Sequence, residues 1–259
     1  MLKELKKKIE EGLKIICKDL GFTYKRKFYI RENSEGISNA LLFTYSQDKV
    51  SQTIGVNITA TVSLNSIERV KKALLEADNA VFSFTLSQDL GYLMPGENYL
   101  NWFLKEEDFE VKLHDIKEAI SAYAEPYFSK FSTSTAILSA IESRSERILN
   151  RDYNFYMPII YLIRGEYPKG KRFVEEEIKR QEKVLSDEEF RKAYPFLFSE
   201  ETRVLRAGKD HLTADEMEHL LKGFKSIAIG GLGSGKADPT YLVFARNYFK
   251  LIDNAGSQV

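Results

Sequence analysis

The strongest constraint on the fold is a strict alternation of apolar and small polar residues between positions 53 and 62. Successive side chains of a β-strand point to opposite faces of the sheet, so a period of two predicts a half-buried strand with a small, polar outer face. Such a strand is typical of an antiparallel sheet. The apolar set is Ile54, Val56, Ile58, Ala60 and Val62, and between them lie Thr53, Gly55, Asn57, Thr59 and Thr61.

Three other segments predict further strands. Residues 22–31 alternate apolar and polar side chains, and a turn rich in Asn, Ser and Gly follows at 33–36. Another run covers residues 40–47, and a short run after the strand at 53–62 contains Phe82, Phe84 and Leu86. With the strand at 53–62, these segments predict a sheet of about four strands.

Helical periodicity dominates both ends of the chain. Apolar residues recur at three- and four-residue steps in the first helix, which Gly21 ends: Leu2, Leu5, Ile9, Leu13, Ile16 and Leu20. Asn65 and Glu68 have the spacing of a capping box before a short helix. After residue 105 we predict a helix kinked at Pro126, a helix over 133–150, a pair over 154–164 and 171–185, and a last helix starting at Asp238 and Pro239.

These elements predict an α+β fold. An antiparallel sheet of about four strands is covered by the N-terminal helix, and a helical C-terminal region follows. We predict a sheet domain at residues 1–131, a helical hairpin region at 132–185 packed on that domain, and a mostly helical region with a Gly-rich loop at 186–259.

Composition narrows the classes of function. The chain has 259 residues, with 38 basic and 38 acidic side chains, and this balance argues against broad electrostatic binding to nucleic acid. Its one cysteine, Cys17, cannot form a disulfide within the chain. The longest apolar stretch is too short to span a bilayer. We therefore expect a soluble, cytoplasmic protein that does not bind membranes.

A Gly-rich segment at residues 230–236 has the spacing of a phosphate-binding loop. The candidates for holding a phosphate or carboxylate group are Gly231, Gly233, Gly235 and Lys236. Ala237 stands where such a loop needs a hydroxyl for magnesium, and only 23 residues follow Lys236, so nucleotide hydrolysis is disfavoured. The alternative is a structural connector.

No catalytic residue, metal site or cofactor is predicted. Glu216 and His219 form half of a helical carboxylate-histidine motif, whose other half is missing. His114 is interpreted as a solvated residue, because no nucleophile motif accompanies it.

Two groups of basic side chains could bind nucleic acid or could simply be solvated. Lys25, Lys27, Tyr29 and Arg31 would share the polar face of the first strand, where they could hold a phosphate backbone or form a solvated edge. We favour the edge. Arg144, Arg147 and Arg151 would line one helix face, balanced by nearby glutamates.

Exposed aromatic side chains are the candidates for binding a partner. Tyr92, Met94, Tyr99 and Trp102 lie in or beside a predicted loop at 91–99, and a Tyr-rich hairpin extends from Tyr24 to Tyr45. Such residues supply the buried anchors of protein interfaces. The alternative is a loop that folds over the sheet edge and buries Leu93 and Trp102.

The order of elements resembles a family of uncharacterised bacterial α+β domains. The resemblance rests on the segments GFTYKRKFYIRE, LLFTYSQDK and TIGVNITATV, and on NWFLKEEDFEVKLHDIKEAISAYAEPYFSKFST with its aromatic PYF turn, and it covers roughly residues 1–185. It implies an α+β fold and, for some relatives, a role as immunity proteins against polymorphic bacterial toxins. It implies no catalytic residues.

From these observations we predict a non-enzymatic protein-binding module with a protein partner. The resemblance implies an immunity or inhibitor protein that occludes a toxin. The alternative is an enzyme or ligand-binding protein that uses the 230–236 loop to hold a phosphate or carboxylate.

Overall fold

A computed structural model describes residues 2–25, 27–33, 35–77, 84–145, 150–183, 188–189, 192 and 237–256. The chain forms two compact units. The N-terminal unit comprises residues 1–70 and 79–148, and the C-terminal unit comprises residues 71–78 and 149–259. The α+β fold class is confirmed, since helices accompany an antiparallel sheet.

Six strands form the described part of the sheet, rather than the predicted four. They are β1 (Thr23–Lys25), β2 (Phe28–Glu32), β3 (Ile37–Asp48), β4 (Thr53–Leu64), β5 (Leu86–Asp89) and β6 (Trp102–Leu104). Strands β1 to β4 follow one another in space, and β5 and β6 both pair with the far side of β4. All pairings are antiparallel, and β3 and β4 pair over twelve residues each.

The first predicted strand is in fact a hairpin. Lys27 has a positive φ of 75°, which turns the chain between β1 and β2. Tyr24 therefore lies opposite Tyr29, with ring centroids 5.1 Å apart. The prediction that Lys25, Lys27, Tyr29 and Arg31 share one polar strand face is wrong for this reason. Tyr29 is buried, and Lys27 lies in the turn.

The central strand β4 is buried on both faces. Its apolar residues are fully buried, as predicted, but most of its polar residues are buried too. These polar side chains bond to the backbone: Thr61 Oγ1 donates to the Ala40 carbonyl at 3.2 Å, and Asn57 Nδ2 donates to the Leu100 carbonyl at 3.0 Å. Hydrogen bonding offsets the cost of burying them. The predicted solvent-facing polar surface is thus a buried polar layer.

The helices of the N-terminal unit are α1 (Leu2–Asp19), the start of α2 (Asn65–Leu74), α3 (Leu90–Leu93), α4 (Phe109–Ala119), a π-helical turn (Ile120–Ala124), α5 (Glu125–Lys130) and α6 (Ser134–Ser143). Helix α1 buries a stripe that includes Leu5, Ile9 and Leu13, and it contacts β1, β4 and α4. The predicted N-terminal helix and the helix start at Asn65 are confirmed.

The helix that was predicted to kink at Pro126 is interrupted by the π turn, which ends two residues before that proline. Glu125 then lies beside Arg31, and the ion pair measures 2.7 Å. The Arg31 guanidinium also donates to the Leu20 carbonyl and lies 4.5 Å from the centre of the Phe22 ring. One arginine thus connects β2 and α5 with the residue that follows α1.

Helix α6 is shorter than the predicted helix over 133–150. Thr133 caps it by accepting a hydrogen bond from the Ala136 N–H, and Arg144, with a φ of 50°, ends it. Arg151 belongs to the next helix, so the predicted shared face of Arg144 and Arg151 does not form. Arg147 lies outside the described residues.

The C-terminal unit contains α7 (Asn150–Ile163), α8 (Tyr167–Glu182) and α9 (Pro239–Gly256) in its described part. The predicted pair α7 and α8 is confirmed, as is the start of α9, where Asp238 Oδ1 accepts from the Thr240 N–H. Aromatic rings fill this core, including Phe155 and Phe244 with centroids 5.0 Å apart.

A buried carboxylate organises α7, α8 and α9. Glu177 accepts hydrogen bonds from Asn154 Nδ2 and Gln181 Nε2, each at 2.7 Å. Arg180 adds a bidentate contact from its more exposed position. The Gln181 Oε1 in turn accepts from the Asp238 backbone N–H at 2.9 Å, so the network reaches the start of α9.

Candidate functional site

A groove of about 570 Å³ opens between helix α1 and strands β1 to β3 of the N-terminal unit. Its lining combines aromatic and charged side chains. They are Lys6, Lys7, Glu10, Glu11, Lys14, Tyr24, Lys27, Tyr29, Phe43 and Tyr45. We call this feature the α1 groove.

The floor of the α1 groove follows from strand register. Tyr29 lies opposite Leu41, so it shares a sheet face with Phe43 and Tyr45, two and four residues further along β3. Tyr29 contacts Phe43 edge-on, with centroids 5.5 Å apart. The hairpin at Lys27 brings Tyr24, which is 58% exposed, to the same face. Four aromatic rings therefore share the floor.

The wall of the α1 groove is one edge of helix α1. Lys6, Glu10 and Lys14 recur at four-residue steps, so they lie on one side of the helix. Lys6 pairs with Glu10 at 3.6 Å, and its Nζ lies 5.1 Å from the centre of the Tyr45 ring. Such a cation–π contact is favourable at a partly exposed site.

Positive charge exceeds negative charge in the lining by two. Both glutamates are paired, Glu10 with Lys6 and Glu11 with Lys7. Lys14 and Lys27 have no ion-pair partner within the described ranges. The groove therefore offers two cations and a set of ring faces to an anionic or aromatic ligand group.

The hydroxyls of Tyr29 and Tyr45 are neutral hydrogen-bonding groups at physiological pH. Burial raises the pKa of Tyr29 to about 12, and nearby groups including Glu10 add to the shift. Burial also raises the pKa of Tyr45, with Glu10 adding to it. Burial likewise raises the pKa of the Cys17 thiol to about 12, so this thiol is not an activated nucleophile. The α1 groove is suited to binding.

Metal ligation has no support in the described part of the chain. No group of three or more His, Cys, Asp or Glu side chains comes together there. Nor does any helix of that part combine the length and apolar character needed to cross a membrane.

The four residues predicted to bind a partner differ in burial. Tyr92 belongs to the short helix α3, and Met94 follows it; both are half-buried. Tyr99 is 57% exposed, whereas Trp102 is buried in β6 opposite Val56. The role of this set in binding stays a prediction, with Tyr99 as its most accessible member.

The predicted anion site of Gly231, Gly233, Gly235 and Lys236 lies outside the described residues. The same holds for Glu216, His219 and Phe82. Phe84 is described, but it precedes β5 instead of belonging to it, and its ring contacts Phe28 at 4.9 Å.

Sequence reasoning identified the Tyr-rich hairpin but missed its partner, the Lys- and Glu-rich edge of α1. The strand alternation from Tyr24 to Tyr45 carried a signal. The placement of Lys6, Glu10 and Lys14 beside these tyrosines has no signal in the sequence, because it arises only when α1 packs on the sheet.

Comparisons with protein-family models, with curated proteins and with solved structures gave no match. The resemblance to a bacterial domain family therefore stays a prediction.

Proposed function

We propose that this chain is a non-enzymatic binding protein that holds a protein partner in the α1 groove. The observation that carries the proposal is the combination of an aromatic floor with two lysines that lack an ion-pair partner in the described structure. Aromatic side chains dominate the energetics of protein interfaces, while complementary charge sets orientation and association rate.

The chemistry of the described groups supports binding over catalysis. The buried thiol and the buried tyrosines keep their protons at physiological pH, because burial disfavours the charged forms. A catalytic acid or base needs the opposite, a pKa close to the working pH.

The more specific form of the proposal is inhibition of a toxin by occlusion. It rests on the resemblance of residues 1–185 to immunity-type domains and on the accessible groove. An inhibitor of this kind requires surface complementarity with its target, and no chemistry of its own.

Charge reversal in the groove tests the general proposal. We expect the double variant Lys14→Glu/Lys27→Glu to recover at least about ten-fold less partner from a lysate of the source organism, since like charges across an interface are costly. The matched control is Lys18→Glu/Lys49→Glu, which changes the net charge equally at exposed positions outside the groove lining. Quantitative mass spectrometry of the captured proteins is the measurement. Equal recovery by both variants would contradict the proposal.

Co-expression tests the inhibitor form. If the gene next to this one encodes a toxin, we expect the wild-type chain to restore growth of cells that express that toxin. The Lys14→Glu/Lys27→Glu variant should protect much less, at equal protein level. Failure of the wild-type chain to protect against the neighbouring gene product would remove the toxin-inhibitor form, without affecting a role in binding another protein.

A further inference from the structure

Strand β3 extends well beyond its neighbour β2. The two strands pair from Ser38 opposite Glu32 to Leu41 opposite Tyr29. Residues 42–48 of β3 continue alongside β4 alone. The opposite edge of this segment has no pairing strand in the described structure, and four of its residues, Thr44, Ser46, Gln47 and Asp48, are exposed.

The hydrogen-bonding phase of β3 can be read from its first residues. The Asn33 N–H donates to the Ile37 carbonyl at 2.9 Å, and the Asn65 N–H donates to the Gly36 carbonyl at 3.1 Å. In an antiparallel ladder, successive residues direct their N–H and C=O groups alternately to the two neighbouring strands. The backbone N–H and C=O groups of the odd-numbered residues of β3 therefore point towards the β2 side of the strand.

The same alternation of backbone direction continues to the end of β3. Tyr45 and Gln47 direct their backbone N–H and C=O groups towards the open edge, and no hydrogen bond joins those groups to another described residue. An open edge of this kind is a template for another strand.

The open edge adjoins the α1 groove. Phe43 and Tyr45 both line the groove floor and belong to the half of β3 that pairs with β4 alone. Their side chains share the face that α1 borders, so a strand added beside them would direct every second side chain into the groove. Lys27 stands in the turn that precedes β2, next to Phe28, where β2 begins.

We propose that the partner binds by strand addition: an extended, acidic segment of another protein pairs with residues 43–47 of β3. The inference rests on the proposed function and specifies how the α1 groove is filled. Main-chain hydrogen bonds supply the pairing, and alternate side chains contact the aromatic floor. Acidic side chains on the segment complement Lys14 and Lys27, which lack ion-pair partners among the described residues.

Charge also argues against a second copy of this chain as the occupant. A second copy would bring another groove lining with the same excess of positive charge to the interface, where like charges repel. An acidic segment has the opposite charge and therefore complements Lys14 and Lys27.

The experiment uses linear peptides of eight random residues, displayed on phage and selected on the full chain. We expect the selected peptides to carry their aromatic, apolar and acidic residues at every second position, because only alternate side chains enter the groove that the aromatic floor and both lysines line. The best peptide is then synthesised in two forms, with backbone N-methyl groups on its odd or on its even residues. Strand addition predicts that one form loses at least about ten-fold in affinity while the other changes little, because only one set of N–H groups faces the edge.

A protein variant provides the second readout. Gln47→Pro removes one N–H at the open edge and leaves the ladder to β4 intact, since Gln47 does not face β4. We expect it to bind the peptide about ten-fold more weakly. The control Gln47→Thr keeps the N–H and should bind within about two-fold of the wild type. Circular dichroism compares the folding of both variants, and the N-methyl pair decides the question if the proline variant is less stable.

The outcomes separate the two proposals. If both N-methyl forms bind equally, if the selected peptides have helical spacing, or if no peptide is selected, strand addition is wrong. Charge-dependent capture of a native partner would still support the proposed function. If sedimentation shows that the free chain is a dimer which Gln47→Pro dissociates, the edge is occupied by a second copy and the heterologous partner is overturned.

Discussion

Replacing Gly170 with alanine is expected to lower the free energy of unfolding of the C-terminal unit by roughly 1–3 kcal/mol, the usual cost of overpacking a core. A Cβ at this position of α8 would overlap the Tyr248 hydroxyl of α9 and would lie 3.2 Å from the Tyr161 Cβ of α7. Alanine favours helix over glycine by up to about 1 kcal/mol, so the steric term wins. Urea unfolding followed by circular dichroism measures the difference.

Two variants test that cause. Gly12→Ala is the matched control, because the one atom that its Cβ would meet too closely is the Cδ1 methyl of Leu113, at the far end of a flexible, half-buried side chain that can shift; its stability should stay close to the wild type. Adding Tyr248→Phe to Gly170→Ala should restore part of the loss, since the nearest remaining ring atom lies at 3.0 Å. If the double variant is no more stable than Gly170→Ala alone, the hydroxyl contact is not the cause.

Glu177→Ala is expected to destabilise the C-terminal unit by roughly 2–4 kcal/mol, because two buried amides lose a charged acceptor and each such loss costs about 1–3 kcal/mol. Asn154 and Gln181 are 8% and 2% exposed, so water does not readily replace the carboxylate. The Arg180 side chain is 45% exposed, and we therefore assign little of the loss to its ion pair.

The adjacent glutamate offers a control for that variant. Glu176 is exposed and pairs with Arg172 at 3.9 Å, so Glu176→Ala should change stability by no more than about 0.5 kcal/mol. Thermal and urea unfolding of the two variants, measured side by side, give the comparison. Equal stability of Glu176→Ala and Glu177→Ala would show that the buried network does not stabilise the unit.

The elements that sequence predicted well are those with a strong local signal. The alternation at 53–62 corresponds to β4 (Thr53–Leu64), and the apolar stripe at the N-terminus corresponds to α1. Asp238 and Pro239 were recognised as a helix start because N-cap chemistry depends on adjacent residues only.

The elements that were missed depend on geometry that leaves little trace in the sequence. Lys27 adopts a left-handed backbone conformation. A glycine at this position would have indicated such a turn in the sequence, whereas a lysine does not. Strands β5 and β6 are only four and three residues long, too short to show a period. Both are formed by pairing with β4, which is a tertiary contact.

The candidate site was only half predictable for a related reason. Its aromatic floor follows from residues close together in sequence, and the Tyr-rich hairpin was recognised. Its charged wall comes from α1, and its open edge comes from the unequal lengths of β2 and β3. Neither of these properties belongs to a single segment of sequence.

The π-helical turn at Ile120–Ala124 has a consequence for relatives of different length. A π turn holds about one residue more than an α-helical turn. A relative that lacks one residue here would keep an uninterrupted α-helix, and every later side chain of that helix would rotate by about 100° around its axis. The counterpart of Glu125 would then point away from the arginine of β2, so gaps at this turn should coincide with replacement of that arginine.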